Sequence, residues 1–361
     1  MSTEPRLKHP FYMYEAILAQ PQAFADAAKR NAGLIDECAA RIASGDGSLF
    51  LVGIGTSYHA AQVGEHLMRL YGGDLFTQAV HSFDFALYPP RITSKDCVIG
   101  ISHRGNKLYT VDSLKYACEI GCYTALITGE GGGTLETDIT LPTVAQDKSS
   151  AHTVSYVGAI SVLSALAECI GFHRSGTSQL LTSFLHQELP QLLHTALQTE
   201  NEIIHFAKEH IKHRRIWLVG GGANAITAQE IALKIKETSY LQAEGMSIET
   251  MLHGPFQCTE AEDLFILIAP TGAAQTRVLE LAGLVKEIGA TCIVVSDGTT
   301  AHPSAAGWVN VPKVPEPFCA LTCLIPLQLL TYYLALECGT NPDGFRLEDP
   351  RFASARSLIQ L

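Results

Sequence analysis

Leu51-Val52-Gly53-Ile54-Gly55 and Leu218-Val219-Gly220-Gly221-Gly222 are two versions of one apolar strand running into a glycine turn. Laid over each other, they bring the rest of the chain into register as an internal repeat. A helical pattern follows each turn, with Ala61-Gln62 against Ala228-Gln229. Further on, Asp96-Cys97-Val98-Ile99-Gly100-Ile101 matches Asp263-Leu264-Phe265-Ile266-Leu267-Ile268. Gly121-Cys122-Tyr123-Thr124-Ala125-Leu126-Ile127 likewise matches Gly289-Ala290-Thr291-Cys292-Ile293-Val294-Val295, and a further short strand ends at Leu141-Pro142 and at Val311-Pro312.

Short continuous apolar runs alternating with helix-length segments are the pattern of a parallel sheet covered on both faces. The expected fold is therefore α/β, with two tandem doubly wound parallel-sheet domains. The sequence divides into an N-terminal helical arm over residues 1–43, a first domain over 44–175 and a polar helical linker over 176–212. A second domain follows over 213–340, and an irregular C-terminal tail over 341–361 contains Pro342, Asp343, Gly344 and Pro350. A length of 361 residues exceeds what one ordinary core supports, which agrees with two domains.

Composition narrows the function. Hydrophobic residues make up 47% and charged residues 17%, far from the signature of disorder. The formal net charge is −11 with no long block of Lys or Arg, which argues against a nucleic-acid partner, so an anionic ligand needs a local pocket. The start, Met1-Ser2-Thr3-Glu4-Pro5, lacks the apolar stretch of a secretory signal, and apolar runs are broken by Gly, Pro or polar residues, so the expectation is a cytoplasmic protein with no membrane partner. Of ten cysteines, Cys97, Cys118, Cys122, Cys169, Cys292 and Cys323 sit in apolar runs and read as small buried hydrophobes. The pairs Cys118/Cys122 and Cys319/Cys323 lack His or Asp at ligand spacing, so neither a metal nor any other cofactor is expected.

In an open parallel sheet, ligands collect beyond the carboxyl ends of the strands, where helix N-termini favour negative charge. In the first half the loops there are Gly53-Ile54-Gly55-Thr56-Ser57 and Ser102-His103-Arg104-Gly105-Asn106-Lys107. Small residues admit close approach, hydroxyls donate, and Arg104 and Lys107 supply charge. The second half is an internal control. Its counterpart to the Ser102 loop, Ala269-Pro270-Thr271-Gly272-Ala273-Ala274, has lost nearly every side-chain donor. The asymmetry points to a phosphate-type site in the first half alone. Ordinary capping explains Thr56 and Ser57 equally well, but not Arg104 and Lys107. A dinucleotide site is disfavoured, because Tyr58 stands where the third glycine of that fingerprint belongs.

These residues resemble the sugar-isomerase (SIS) domain family, and within it the tandem isomerase half of glucosamine-6-phosphate synthase. The likeness covers nearly the whole chain: Tyr14-Glu15-Ala16-Ile17 with Gln20-Pro21, the Gly55-Thr56-Ser57 turn, the Ser102 loop and Ala151-His152-Thr153. Its longest stretch is Glu230-Ile231-Ala232-Leu233-Lys234-Ile235-Lys236-Glu237-Thr238-Ser239-Tyr240, followed by Glu244 and His253-Gly254-Pro255. The resemblance implies flavodoxin-like domains, with Ser57, Ser102 and His103 at the oxygens of a sugar phosphate; Gly55, Thr56, Arg104, Asn106, Lys107, Thr153 and Arg356 are expected as further binding residues. It implies Glu237 as the carboxylate that moves a proton between the first two sugar carbons. It implies His253 as the ring-opening histidine, supplied by the other subunit of a homodimer with shared sites. Without it, Glu237 beside Lys234 and Lys236 reads as a solvated ion pair and His253 as a turn residue.

Three departures shape the expected chemistry. Arg104 and Lys107 replace a serine and a threonine of the family's phosphate loop. Arg356, in Ala355-Arg356-Ser357, stands where the synthase has a Schiff-base lysine, and an arginine stays protonated. A glutamine-hydrolysing domain is not expected, since the chain opens almost directly on the helical arm. The expected function is binding of a hexose or amino-sugar 6-phosphate with aldose-ketose isomerisation or deamination. The alternatives are a deglycase acting on a phosphorylated sugar-amine adduct and a non-catalytic sugar-phosphate sensor.

Overall fold

A computed structural model describes residues 4–133 and 135–359, so Met1-Ser2-Thr3 of the quoted start and the last two residues of the tail lie outside the described residues. The chain separates into two compact units. One gathers Ala19–Asp147, His152–Pro190 and Arg356–Leu361; the other gathers Met1–Leu18, Lys148–Ala151 and Gln191–Ala355.

The first-half unit is built on β1 (Leu49–Gly53), β2 (Thr77–His81), β3 (Cys97–Ile101), β4 (Tyr123–Thr128) and β5 (Ile139–Pro142). All pairings are parallel, in the order β2-β1-β3-β4-β5. Its helices are α1 (Tyr12–Arg30), of which the part from Ala19 belongs here, α2 (Ala32–Ala43), α3 (Thr56–Tyr71), α4 (Ser82–Leu87), α5 (Leu108–Ile120) and α6 (Val154–Ser175). β1 and β3 are buried at every position, as strands covered on both faces must be. Phe50, Val52, Val98, Leu114 and Leu126 form one core beneath α4 and α5. On the opposite face α6 packs against α2 and α3, and Ser161 bonds the backbone of α1 at Phe24 and Ala28.

After α7 (Leu189–Ala196) and α8 (Glu200–His210), which fill the stretch read as a polar helical linker, the second-half unit repeats the plan. It contains β6 (Ile216–Gly220), α9 (Ala223–Thr238), β7 (Ala243–Ser247), α10 (Ile248–Leu252), β8 (Leu264–Ile268), α11 (Gln275–Ile288), β9 (Thr291–Ser296) and β10 (Gly307–Asn310). The sheet order β10-β9-β8-β6-β7 is the first-half order read from the other edge. α12 (Cys319–Thr322), α13 (Leu324–Glu337) and a short α14 (Pro350–Arg356) follow, so the tail is not wholly irregular. Asp343 of that tail accepts the backbone N–H groups of Tyr12 and Met13, at 2.9 Å each, and so holds the start of α1.

The repeat reading located four strands per half and passed over β2 and β7. Both lie at sheet edges, and their sequences Thr77-Gln78-Ala79-Val80-His81 and Ala243-Glu244-Gly245-Met246-Ser247 lack a continuous apolar run because edge strands are only partly covered. Two helical stretches, Val154–Ser175 and Cys319–Glu337, are long and apolar enough to cross a membrane by length and composition, yet most of each is buried inside its own unit. Of the six cysteines read as buried, Cys97, Cys122, Cys292 and Cys323 are so, whereas Cys169 is half-buried and Cys118 exposed.

Candidate functional site

The strand order makes β1 and β3 neighbours whose following helices leave in opposite directions along the sheet, so a crevice opens where β1 and β3 end. The Gly53–Ser57 and Ser102–Lys107 loops are the segments that leave those two strand ends. Gly53 is required there, because a Cβ would lie 2.6 Å from the Ser57 backbone. Gly55 takes φ 57°, ψ −128°, a conformation that disfavours side chains. The N-caps of α3 and α5 are Gly55 and Lys107, with no side-chain cap bond at either. Thr56 and Ser57 sit inside the first turn of α3, not at its cap, so capping does not account for them. The N–H groups of Ser57, Tyr58 and His59 are taken by the carbonyls of Ile54 and Gly55.

Ser102 and Thr153 are 1% and 0% exposed, and the hydroxyl of each is buried with no hydrogen-bond partner among the described residues. Thr153 is the N-cap of α6 yet makes no capping bond with its side chain. A buried, unsatisfied hydroxyl costs about 1–3 kcal/mol, and two at the ends of one sheet point to an outside partner. Arg104, Asn106 and Arg356 are exposed and Lys107 is half-buried. Burial, then Arg104 and Arg356, hold the Lys107 ammonium below its ordinary range. The three cations read separately from the sequence are thus near enough to feel one another.

His103 differs from its expected place at phosphate oxygens. Its Nε2 accepts the backbone N–H of Asp147 at 2.9 Å, so Nδ1 carries the proton and lies against Gly129. Its carbonyl is held by Gly129 N–H, Thr128 Oγ1 and Gln146 Nε2. Burial foremost, with Asp147 opposing and His152 and Arg104 assisting, pushes the His103 pKa down to about 4, so the ring is neutral at neutral pH. Where no metal site was expected, His103, Asp147 and His152 each bring one ligand-type atom within 4.8 Å of the others. Sequence reading missed Asp147, which lies in a loop without periodicity and has its partners five and eight residues away.

In the second-half unit, Glu237 ends α9 with Lys234 Nζ 2.9 Å from its Oε2, and Lys234 Nζ also lies 3.4 Å from Glu230 Oε1. The ion pair is not a solvated one, for the Lys234 and Glu230 side chains are 1% and 0% exposed, against 22% for Glu237. Burial alone would lower the Lys234 pKa, but Glu230 and Glu237 outweigh it and raise it. A fixed buried ammonium therefore holds the one carboxylate of the two that reaches the surface. His253 closes α10 with its side chain 77% exposed and its Nε2 3.2 Å from Glu249.

The second-half counterpart of the anion crevice is filled by the chain itself. Gly222 repeats the Gly55 backbone at φ 55°, ψ −132°. A Cβ on Gly272 would lie 2.8 Å from Glu316 Oε2, and one on Gly222 would lie 3.6 Å from Glu316 Oε1. Thr271 donates its N–H and hydroxyl to Asp297 at 2.7 and 2.9 Å. Carboxylates stand where the first half keeps open hydroxyls and cations.

Comparison with known proteins agrees with the duplicated architecture. A model of the SIS domain matches residues 42–169 and again 210–338. The chain is similar to the isomerizing glutamine-fructose-6-phosphate aminotransferase of Pyrococcus horikoshii, 32% identical over 337 residues that cover 92% of this chain and 56% of that protein. The corresponding protein of Thermococcus kodakarensis is 31% identical, over 93% of this chain and 56% of its own length. The chain thus spans about half the length of the curated relatives it matches. Among solved structures, the C-terminal domain of glucosamine-fructose-6-phosphate aminotransferase from Francisella tularensis superposes with a TM-score of 0.84 at 19% identity, covering 94% of this chain and 99% of that one. Tagatose-6-phosphate ketose/aldose isomerase from Escherichia coli gives 0.78 at 17% identity, covering 96% and 98%, a likeness of fold.

Proposed function

Because the chain belongs to the SIS domain family in both halves, we propose that it binds a hexose or amino-sugar 6-phosphate and moves a proton between the first two sugar carbons, as in aldose-ketose isomerisation or deamination. The observation that carries this reading is the pair of buried, unpartnered hydroxyls, Ser102 Oγ and Thr153 Oγ1, at the mouth of the first-half sheet. A phosphate there accepts both hydroxyls and the first-turn N–H groups of α5, and Arg104, Lys107 and Arg356 offset its charge. Ser57, Thr56 and Asn106 add donors, and Gly55 lets the backbone approach.

Glu237 is the general base. Its carboxylate takes the proton from one carbon and returns it to the next, while Lys234 fixes its position. His253, exposed in a single chain, opens the sugar ring from a second copy, so the functional state is a homodimer with shared sites. Arg356 replaces a reactive amine with a fixed charge, so it binds oxygen and forms no imine. The names of the relatives support this chemistry, with fructose 6-phosphate among the words they share.

One observation favours a second reading. Three cations, Lys107 with Arg104 and Arg356 beside it, exceed what one phosphate needs, which suits a deglycase whose substrate adds the carboxylate of an amino acid. Incubation with fructose 6-phosphate, glucosamine 6-phosphate and a phosphorylated glycated amino acid, following ketose, ammonia and free amine, separates the readings. Binding with no product from any of them would leave a sensor and sink both.

A further inference from the structure

His152 has not been given a role above, although its surroundings are those of a working imidazole. Its Nδ1 lies 3.2 Å from Asp147 Oδ2, and the Asp147 side chain is 1% exposed while that of His152 is 24% exposed. The same Asp147 oxygen accepts Ser155 Oγ at 2.6 Å and the Ser155 N–H at 3.4 Å. Burial pushes the Asp147 pKa up, but the bond from His152, the His152 and His103 rings and the Ser155 hydroxyl outweigh it and hold the carboxylate ionised. A ring nitrogen facing a carboxylate carries the proton, so Nε2 of His152 presents a lone pair. No described residue takes it. The two neighbours along the chain and across the ring contact are the residues beside the open hydroxyls: Thr153 follows His152, and His103, 5.2 Å away in an edge-on ring contact, follows Ser102.

A cation held by His103, Asp147 and His152 is the competing use of the cluster. His103 argues against it, since its Nε2 is spent on the Asp147 N–H and its Nδ1 bears the proton. Only two donors remain, and they already bond each other.

We propose that His152, oriented by Asp147, is a proton-transfer residue of the first-half site and acts on a hydroxyl of the sugar phosphate bound there. The proposal rests on the sugar-phosphate reading above. As hydrogen moves from C1 to C2, Nε2 accepts the proton of the C1 hydroxyl, the O–H bond breaking as the N–H bond forms and the C1–O bond becomes a carbonyl; the charge gained by the ring is met by Asp147 until the proton passes to the C2 oxygen, whose carbonyl has become C–O–H. Asp147 touches no substrate and is a positioning residue.

The full chain, His152→Gln and Asp147→Asn are compared with fructose 6-phosphate as probe. Affinity is read by calorimetry and exchange of the C1 and C2 hydrogens with deuterated water by NMR. His152→Gln is expected to bind within about 3-fold of the parent while exchange falls about 100-fold, the scale of one general acid-base group. Asp147→Asn should exchange about 10-fold slower with affinity within about 3-fold of the parent, because the ring loses the carboxylate that orients it. Parental exchange in His152→Gln overturns the proposal alone, as does parental activity that is lost to a chelator and restored by zinc. Parental exchange in Asp147→Asn, or a loss of affinity as large as its loss of exchange, overturns the positioning role. A parent protein that fails to bind fructose 6-phosphate, or binds it without exchange, overturns the sugar-phosphate reading and this proposal with it.

Discussion

Gly55 and Gly222 start α3 and α9 with the same backbone, φ 57° and 55°, and their surroundings could hardly differ more. Around the first lie two buried hydroxyls without partners and a half-buried lysine pressed by two arginines. Around the second lies Glu316, close enough to Gly272 that a methyl group there would collide with it, and Asp297 holds Thr271 nearby. The duplicated fold supplies an anion-attracting helix start twice. One copy leaves it open and the other satisfies it with a carboxylate of its own. On the proposed reading the second half does not hold the phosphate, and its buried ion network instead fixes Glu237.

The division of labour can be broken at its catalytic end first. Glu237→Gln should reduce turnover of fructose 6-phosphate by about 100- to 10,000-fold with affinity nearly unchanged, since a general base is lost and no phosphate contact is touched. Steady-state rates beside calorimetry check this, and wild-type turnover would remove Glu237 from the chemistry.

At the binding end, Ser102→Ala should weaken binding of the phosphorylated sugar by about 10- to 100-fold, the worth of one hydrogen bond to a charged group, and leave the unphosphorylated sugar unaffected. Ser102→Asp, which copies into the first half the carboxylate of the second, should abolish phosphate-dependent binding. Equal losses for both sugars would contradict the phosphate assignment.

A pH titration sharpens the contrast in the loops themselves. His103 has a folded pKa of about 4, below the unfolded 6.5, so the unfolded chain binds more protons between those values. Its contribution is complete above about pH 6.5 and declines as pH falls toward 4, by about 3 kcal/mol in all. Urea midpoints followed over that window should fall with acid in the parent and flatten in His103→Gln. The smallest effect is expected from Glu316→Gln, which should change the affinity for fructose 6-phosphate less than about 2-fold, because Glu316 is no part of the proposed phosphate site. A new phosphate site in that variant, detected as a second binding event, would show that Glu316 is what keeps the second crevice closed.

Much of this was legible in the sequence because it depends on local pattern. The period of apolar runs dictated parallel sheets, and the glycine spacing marked where strands meet helices. The loss of donors from Ala269-Pro270-Thr271-Gly272-Ala273-Ala274 marked the half without an open anion crevice. The edge strands β2 and β7 escaped, since half-covered strands need no apolar run. Likewise Lys234 reads on paper as an ordinary surface lysine, and nothing local distinguishes it from Lys236, which is exposed.

What the sequence determined, then, was whatever is written in neighbours along the chain: two copies of one strand-turn-helix plan, and the loops at which an anion would meet helix starts. Only the tertiary structure decided which polar groups are buried, because burial depends on residues far apart in sequence that close over one another. That closure leaves Ser102 and Thr153 without partners, seals Lys234 between two carboxylates, brings Glu316 to Gly272 and sets Asp147 behind His152. Desolvation makes each of these contacts strong, and desolvation is a property of the folded whole.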